Sequence, residues 1–342
     1  MIRVLVVDDS VFMRTIVSDM LKKDPAIEVV GTASDGIEAL KKCAELAPDV
    51  MTLDIEMPRM DGIEVLRRLM PTKHAPKVLM LSSLTSKDAE MTREALKLGA
   101  GDFMLKPRDI ATVRGIEQEL TIKIKHLIRF PAITRHATVT KEIADRIVVI
   151  GSSAGGPQQL DILLSSLDAR LPAAVVVTQH MPVGFTAALA ERLNRISLLP
   201  VKESQNGDLL EKGQVIVSKA GFHTIVSSMV TSDGIRGGRI VHSTAPPMHA
   251  VRPAVDATFA SAAKTFAPRI VSVLLSGMGS DGGDGTFAVK EAGGKTICCE
   301  QADCLVYGMV RSALERNCVD HVVPLKKIAG TIGGSLEDLG DA

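Results

Sequence analysis

Two short apolar runs each stop in a residue able to do covalent chemistry. VMTLD ends at Asp54 and leads into IEMPRMDG, while IVVI leads into Gly151-Ser152-Ser153-Ala154-Gly155-Gly156. In a parallel α/β sheet, reactive groups belong outside the carboxyl ends of the strands, so the chain carries two separate reaction centres. A carboxylate such as Asp54 can accept a phosphoryl group, and a glycine-bracketed hydroxyl such as Ser153 can attack a carbonyl. The pairing reads as an enzyme joined to its own switch.

Asp8 and Asp9 close the first apolar run of the chain, and the runs ending at Asp9 and Asp54 become neighbours if the first unit is doubly wound. Three carboxylates then converge in one crevice, where like charges repel unless a hard cation such as Mg²⁺ sits among them. Such an ion also neutralises an incoming phosphoryl group. Ser82 ends the fourth run and Lys106 the fifth, which puts a hydroxyl and a cation where phosphate oxygens lie. A single Asp at a strand end reads as a helix cap, but five such residues in this order do not. Pro107 fixes the loop after Lys106 and is compatible with a cis bond.

Around Ser153 the glycines permit the sharp turn that lifts a side chain above a sheet. Free N–H groups of the turn and a helix N-terminus favour an oxyanion there. Glycine-rich turns of this kind also hold nucleotide phosphates, but the spacing is not GxGxxG and no Lys follows to make a P-loop. A serine nucleophile needs a base, and the base needs an orienting acid. Of the eight His, His180 is best placed, directly after the apolar run AAVVVTQ. His223 and His249 lie in predicted loops as weaker candidates; His74, His126, His136, His242 and His321 read as solvated or linker positions. The acid comes from LLSGMGSDGGDG, where Asp281 sits mid-loop and Asp284 stands where it could equally cap the next helix. Met278 in the same loop offers a backbone N–H to an oxyanion. The order Ser, His, Asp differs from that of α/β-hydrolases, which excludes that fold family and leaves the chemistry open.

These residues need two α/β frames. Apolar runs at Val4–Val7, Val29–Gly31, Val50–Leu53, Val78–Leu81 and Phe103–Leu105 alternate with helical stretches at Ser10–Lys23, Gly36–Ala47, Gly62–Met70, Ala89–Leu98 and from Ile110. Ser10 and Asp35 suit N-caps, and Gly99 suits a helix stop. The pattern loosens between Ile122 and Asp145 and restarts with strands at Arg146–Ile150, Ala174–Thr178, Val215–Ser218, Ile270–Leu275, Lys295–Cys299 and Val319–Val323, with a helix from Pro157. The expected fold is α/β with two doubly wound parallel-sheet domains: a (βα)5 unit over 1–122, a linker over 123–144, and a hydrolase unit over 145–342.

Composition sets limits. Lys plus Arg total 40 and Asp plus Glu total 40, so no net field draws the chain to nucleic acid or a membrane. No window approaches the ~20 apolar residues of a membrane span, and MIRVLVVDDS reaches acids too soon for a signal peptide. Five Cys at 43, 298, 299, 304 and 318, without CxxC spacing, read as small buried residues in a reducing cytoplasm.

The constellation Asp8, Asp9, Asp54, Ser82 and Lys106, with MPRMDG after Asp54, resembles the receiver domain of two-component response regulators. The resemblance implies that a histidine kinase phosphorylates Asp54, and that Asp9 and Asp54 hold Mg²⁺ with Asp8 close by and the Glu56 carbonyl completing the site. It also makes Ser82 the switch hydroxyl and Phe103 the switch aromatic, although Phe103 reads equally as plain core. With IVVIGSSAGGPQQL, VTQHMP, GFTAALAERL, VRPAVD, LLSGMGSDGGDG and CLVYGM, nearly the whole chain resembles the chemotaxis response regulator protein-glutamate methylesterases. That implies a phosphorylation-activated triad of Ser153, His180 and Asp281 with Met278 as backbone oxyanion donor. The implied substrates are glutamyl γ-methyl esters, and some glutamines, of methyl-accepting chemoreceptors; the implied phosphodonor is a chemotaxis histidine kinase. The chain departs from the family pattern at Ala154, Val251, Val310 and Ala220-Gly221, none of them a triad member. A non-catalytic output module, or a hydrolase acting on other proteins' side chains, are the rival readings.

Overall fold

The computed structural model describes residues 1–72, 74–83, 86–106, 113–129, 142–230 and 234–339, with backbone alone at 86–89, 113–116, 126 and 129. Pro107, His136 and the His126 side chain therefore lie outside the described residues. Two compact units emerge, Met1–Pro131 and Ala132–Ala342.

The first unit runs β1 (Ile2–Val7), α1 (Val11–Lys22), β2 (Ile27–Ala33), α2 (Gly36–Leu46), β3 (Val50–Asp54), α3 (Gly62–Leu69), β4 (Lys77–Ser82), α4 (Ser86–Leu98), β5 (Asp102–Leu105) and α5 (Val113–Arg129). Its strands are all parallel in the order β2-β1-β3-β4-β5. Helices cover both faces, which is why the central strands are almost uninterrupted apolar runs and β3 is buried end to end. Ser10 caps α1 through Met13 N–H, and Asp35 caps α2 by accepting from Ile37 and Glu38 N–H. Strand order reverses between β1 and β3, so the crevice of this sheet opens where Asp8, Asp9 and Asp54 emerge.

The second unit comprises β6 (Ile147–Ser152), α6 (Gly156–Leu164), β7 (Ala174–Gln179), α7 (Phe185–Ile196), β8 (Val201–Glu203), β9 (Val215–Val217), β10 (His223–Val230), β11 (Arg236–Ser243), α8 (Val255–Phe266), β12 (Ile270–Leu274), α9 (Gly283–Glu291), β13 (Lys295–Cys299), α10 (Gly308–Glu315), β14 (His321–Val323) and α11 (Leu325–Asp338). Seven parallel strands form one sheet in the order β14-β13-β12-β6-β7-β9-β8. The chain winds outward from β6 through β7, then returns to lay β12 on the other side of β6. Ser153, at the end of β6, thus stands at the switch point.

Successive residues of β6 point to opposite faces. Val148 and Ile150 join a core with Leu160, Leu189 and Ile328, while Ile147 and Val149 join another with Phe259, Val289 and Met309. The sequence reading missed β8 and the antiparallel hairpin β10–β11. HTIVSSMV and RGGRIVHS carry too much Ser, Gly and Arg to register as apolar runs, yet one hairpin face, through Val226 and Ile240, packs on α8. Gly238 lets the Phe266 ring approach so closely that a Cβ there would meet it at 2.6 Å. His223 accordingly starts a strand and is not a loop residue.

Candidate functional site

In the first unit, Asp8, Asp9 and Asp54 each place a carboxylate oxygen within 4.8 Å of the others. Lys106, at the end of β5, sets its Nζ 2.6 Å from Asp54 Oδ2 and 2.9 Å from Asp8 Oδ2. Asp8 Oδ2 is buried, with that ammonium as its partner. Burial pushes the Asp54 carboxyl up to about 6 against the pull of Lys106, and Asp8 and Asp9 add repulsion. Burial works against the Lys106 cation too, but Asp54 and Asp8 outweigh it and hold that ammonium above its ordinary value.

Three carboxylates against one ammonium make a hard-oxygen set that fits Mg²⁺. Glu56 follows β3 at the rim, with an exposed side chain. Ser82 is fully buried at the end of β4, where Thr92 Oγ1 of α4 donates to its Oγ at 3.0 Å. Phe103 is 5% exposed and so lies inward, with the buried Lys123 Nζ 5.8 Å from its ring centroid.

In the second unit, strand pairing brings the hydroxyl and the imidazole together. Ser152 of β6 sits in register with Gln179 of β7, so Ser153 and His180 are the next residues on adjacent strand ends. Gln179 fastens them: its Nε2 donates to the carbonyls of Ser153 and His180 at 2.9 Å each, and Ser152 Oγ donates to its Oε1 at 2.6 Å. His180 N–H in turn donates to the Ser152 carbonyl at 3.0 Å. His180 Nε2 lies 2.7 Å from Asp281 Oδ2, leaving Nδ1 as the other ring nitrogen. Among the described residues, Ser153 Oγ makes no hydrogen bond; catalytic contacts of this kind often tighten only when substrate is bound.

Asp281 is almost fully buried. Burial would raise its carboxyl, but the hydrogen bonds from His180 and from the Asp256 and Val255 N–H groups prevail and hold it below the ordinary carboxylate range. A buried anion with that many donors is suited to stabilise an imidazolium. Asp284 neither caps nor enters this cluster: Gly282 takes the cap of α9, and Asp284 pairs with Arg316 Nε at 2.7 Å.

The glycine loop closes the site. Ser153 N–H donates to the Ser276 carbonyl at 2.9 Å, and Ser276 Oγ donates to the Ala154 carbonyl at 2.7 Å. Gly277 presses so closely that a Cβ there would meet Ser153 Cβ at 2.9 Å. Met278 comes next, 74% exposed, and among the described residues neither its N–H nor that of Ala154 has a hydrogen-bond partner. Two free N–H groups beside the serine are what an oxyanion requires.

Sequence reasoning missed Gln179, whose signal was an amide ending an otherwise apolar strand. It also missed Gln159, which accepts from Ser276 N–H at 2.7 Å and so fixes the loop from below. Of the weaker His candidates, His223 is buried, donating through Nε2 to the Pro246 carbonyl at 3.0 Å and accepting from Ala254 N–H through Nδ1. His242, expected to be solvated, is half-buried, bonded to Ser204 Oγ and stacked on Phe222 at 5.1 Å. His74 and His321 are exposed. Arg252 spends its guanidinium on the Thr244 and Ala245 carbonyls.

Fold and site together define a response-regulator receiver joined to a parallel α/β unit of hydrolase layout. Comparison with known proteins makes this specific. Residues 4–116 match the response regulator receiver domain, and residues 148–332 match the CheB methylesterase family. A protein-glutamate methylesterase/protein-glutamine glutaminase of Methanospirillum hungatei is 57% identical over 329 residues, covering 96% of both chains. The protein of the same description from Thermotoga maritima is 42% identical over 340 residues, again 96% of both. The crystal structure of the Thermotoga maritima CheB methylesterase catalytic domain covers 57% of this chain and 98% of its own, at 39% identity and a TM-score of 0.52. The chain belongs to the CheB methylesterase family.

Proposed function

We propose that this protein is a phosphorylation-activated protein-glutamate methylesterase that serves chemotactic adaptation in the cytoplasm. It hydrolyses glutamyl γ-methyl esters of methyl-accepting chemoreceptors and deamidates receptor glutamines. The single observation that carries the reading is the 2.7 Å His180–Asp281 bond at the strand end beside Ser153.

Ser153 Oγ attacks the ester carbonyl carbon while its proton passes to His180 Nδ1. Asp281 holds the proton on Nε2 and stabilises the imidazolium; the Met278 and Ala154 N–H groups receive the oxyanion. Collapse expels methoxide, which leaves as methanol with the proton from His180, and a γ-glutamyl ester stays on Ser153. Water, deprotonated by His180, then attacks that ester and frees glutamate and the serine. With a glutamine side chain the leaving group is ammonia and the remaining steps are the same.

The switch lies in the receiver. Asp54 accepts a phosphoryl group from a chemotaxis histidine kinase, and Lys106 and Ser82 are placed to meet its oxygens. Asp8, Asp9 and Asp54, with the Glu56 carbonyl, would hold Mg²⁺, which when bound neutralises phosphoryl charge.

Methanol release from methylated receptor membranes tests the reading. Wild type should release methanol faster with a small acyl-phosphate donor, and Ser153→Ala should release none. An unchanged rate in Ser153→Ala would overturn the mechanism.

A further inference from the structure

Beside the His180–Asp281 pair stands a second imidazole–carboxylate pair that the proposed mechanism does not use. His249 Nε2 lies 2.8 Å from Asp256 Oδ2 and 3.9 Å from Asp281 Oδ1. Asp256 opens α8 and is 3% exposed. Its Oδ1 accepts from Gly282 and Gly285 N–H at 2.9 and 2.6 Å, and its own N–H donates to Asp281 Oδ1 at 2.9 Å. Asp256 therefore anchors the loop that carries Asp281, and its remaining oxygen faces His249. The His249 side chain is 31% exposed and reaches inward from a strap whose backbone is left-handed at two successive non-glycine residues, His249 at φ 51 and Ala250 at φ 62. Such a conformation persists only where its surroundings impose it, and here it aims the imidazole at the buried acid.

Two buried carboxylates this close to each other cannot both stay ionised without compensation. Burial and the neighbouring Asp281 raise the Asp256 carboxyl, while the Gly285 N–H and His249 oppose them. The triad needs Asp281 as the anion. We infer that His249 is a positioning residue for the ester hydrolysis: by donating to Asp256 it confines the cluster's proton to the His249–Asp256 pair and leaves Asp281 ionised against His180. This rests on the triad reading of Ser153, His180 and Asp281. The titratable groups facing His249 are Asp256 from α8 and Asp281 from the glycine loop, with His180 beyond Asp281; the Ser280 hydroxyl stands 3.5 Å from Nδ1.

The test is a pH profile of methanol release by the full-length protein. In His249→Ala, kcat should fall about tenfold or more with KM changed less than about twofold. The acid limb of kcat/KM should move to higher pH, because the Asp256–Asp281 pair keeps a proton that Asp281 then shares. His249→Gln, which retains an N–H donor, should recover most of kcat. Adding Asp256→Asn to His249→Ala removes the like-charge conflict while leaving an oxygen for the two glycine N–H groups, so the acid limb should return to its wild-type position. An acid limb unmoved in His249→Ala would overturn the inference. So would a loss equal at every pH that neither His249→Gln nor the double variant relieves, which marks a packing role. Should His249→Ala fail to fold, His249→Met, which fills the space without an N–H donor, should show the same upward move of the acid limb, and an unmoved limb there would overturn the inference equally. Activity surviving in a Ser153→Ala control would refute the underlying triad reading instead.

Discussion

Asp281 and Asp54 are both buried acids at strand ends, yet their surroundings drive them in opposite directions. Donors surround Asp281, so its charge is stabilised and available to His180. In Asp281→Asn the carboxylate partner of the imidazole is lost while the shape stays, and kcat for methanol release should drop by about 10³–10⁴. In the proposed triad the three residues work as one unit, so Ser153→Ala with Asp281→Asn should be no worse than Ser153→Ala alone. At Asp54 the folded protein raises the carboxyl to about 6. Relative to an unfolded value near ~3.9, ionisation opposes folding. The advantage of the folded state is complete below the ordinary carboxylate range and is lost as pH rises through the folded value, a cost of about 2–3 kcal/mol at neutral pH. Asp54→Asn removes that charge. In Mg²⁺-free buffer the variant should melt above wild type near neutral pH, and the gap should shrink to about half at about pH 5 and close below about pH 3.5; equal melting curves at neutral pH would contradict this account.

Among the elements, the β12–α9 connection does most to shape the site. At Gly277 a Cβ would collide with Met309 Sδ and meet Ser153 Cβ at 2.9 Å. Gly277→Ala should therefore displace Met278 or tilt Ser153, costing about 1–3 kcal/mol of stability. Methanol release should fall about a hundredfold, since misplacing a nucleophile by about 1 Å has that effect. Full activity in a normally folded variant would mean the loop does not set the serine. The same connection shows what a sequence can disclose. Ser153, His180 and Asp281 were legible because each follows an apolar run whose type fixes which end of the sheet it reaches. Asp8, Asp9, Asp54, Ser82 and Lys106 were legible for the same reason. The β10–β11 hairpin was not, because its Ser, Gly and Arg positions hide a half-covered sheet. The His249–Asp256 contact was not either: it depends on left-handed backbone at His249 and Ala250, which no local pattern announces. Gln179 and Gln159 matter through partners 26 and 117 positions away, beyond the reach of any periodicity.

For the molecule as a whole, the charge balance of 40 basic and 40 acidic residues leaves no long-range field for phosphorylation to reinforce. The signal must travel as a population shift, with the phosphorylated receiver favouring a more active state of the esterase. A tenfold rise in the active fraction from a low starting level needs only about 1.4 kcal/mol of differential interaction, whereas a swing from 1:99 to 99:1 needs about 5.5 kcal/mol. On the proposed reading, one phosphoryl group meeting Lys106 and Ser82 is of the scale to supply the smaller figure, so stimulation of about tenfold is expected when an acyl-phosphate donor and Mg²⁺ are added to the full chain. Asp54→Ala should keep the basal rate and lose the stimulation. Chelating Mg²⁺ should do the same to wild type, because three carboxylates with only the Lys106 ammonium to offset them repel an incoming phosphate. Initial rates of methanol release with donor, donor plus chelator, and neither separate these cases. Donor-stimulated hydrolysis that survives in Asp54→Ala would detach the esterase from its receiver, and a basal rate that falls with chelation would place a metal in the ester chemistry itself.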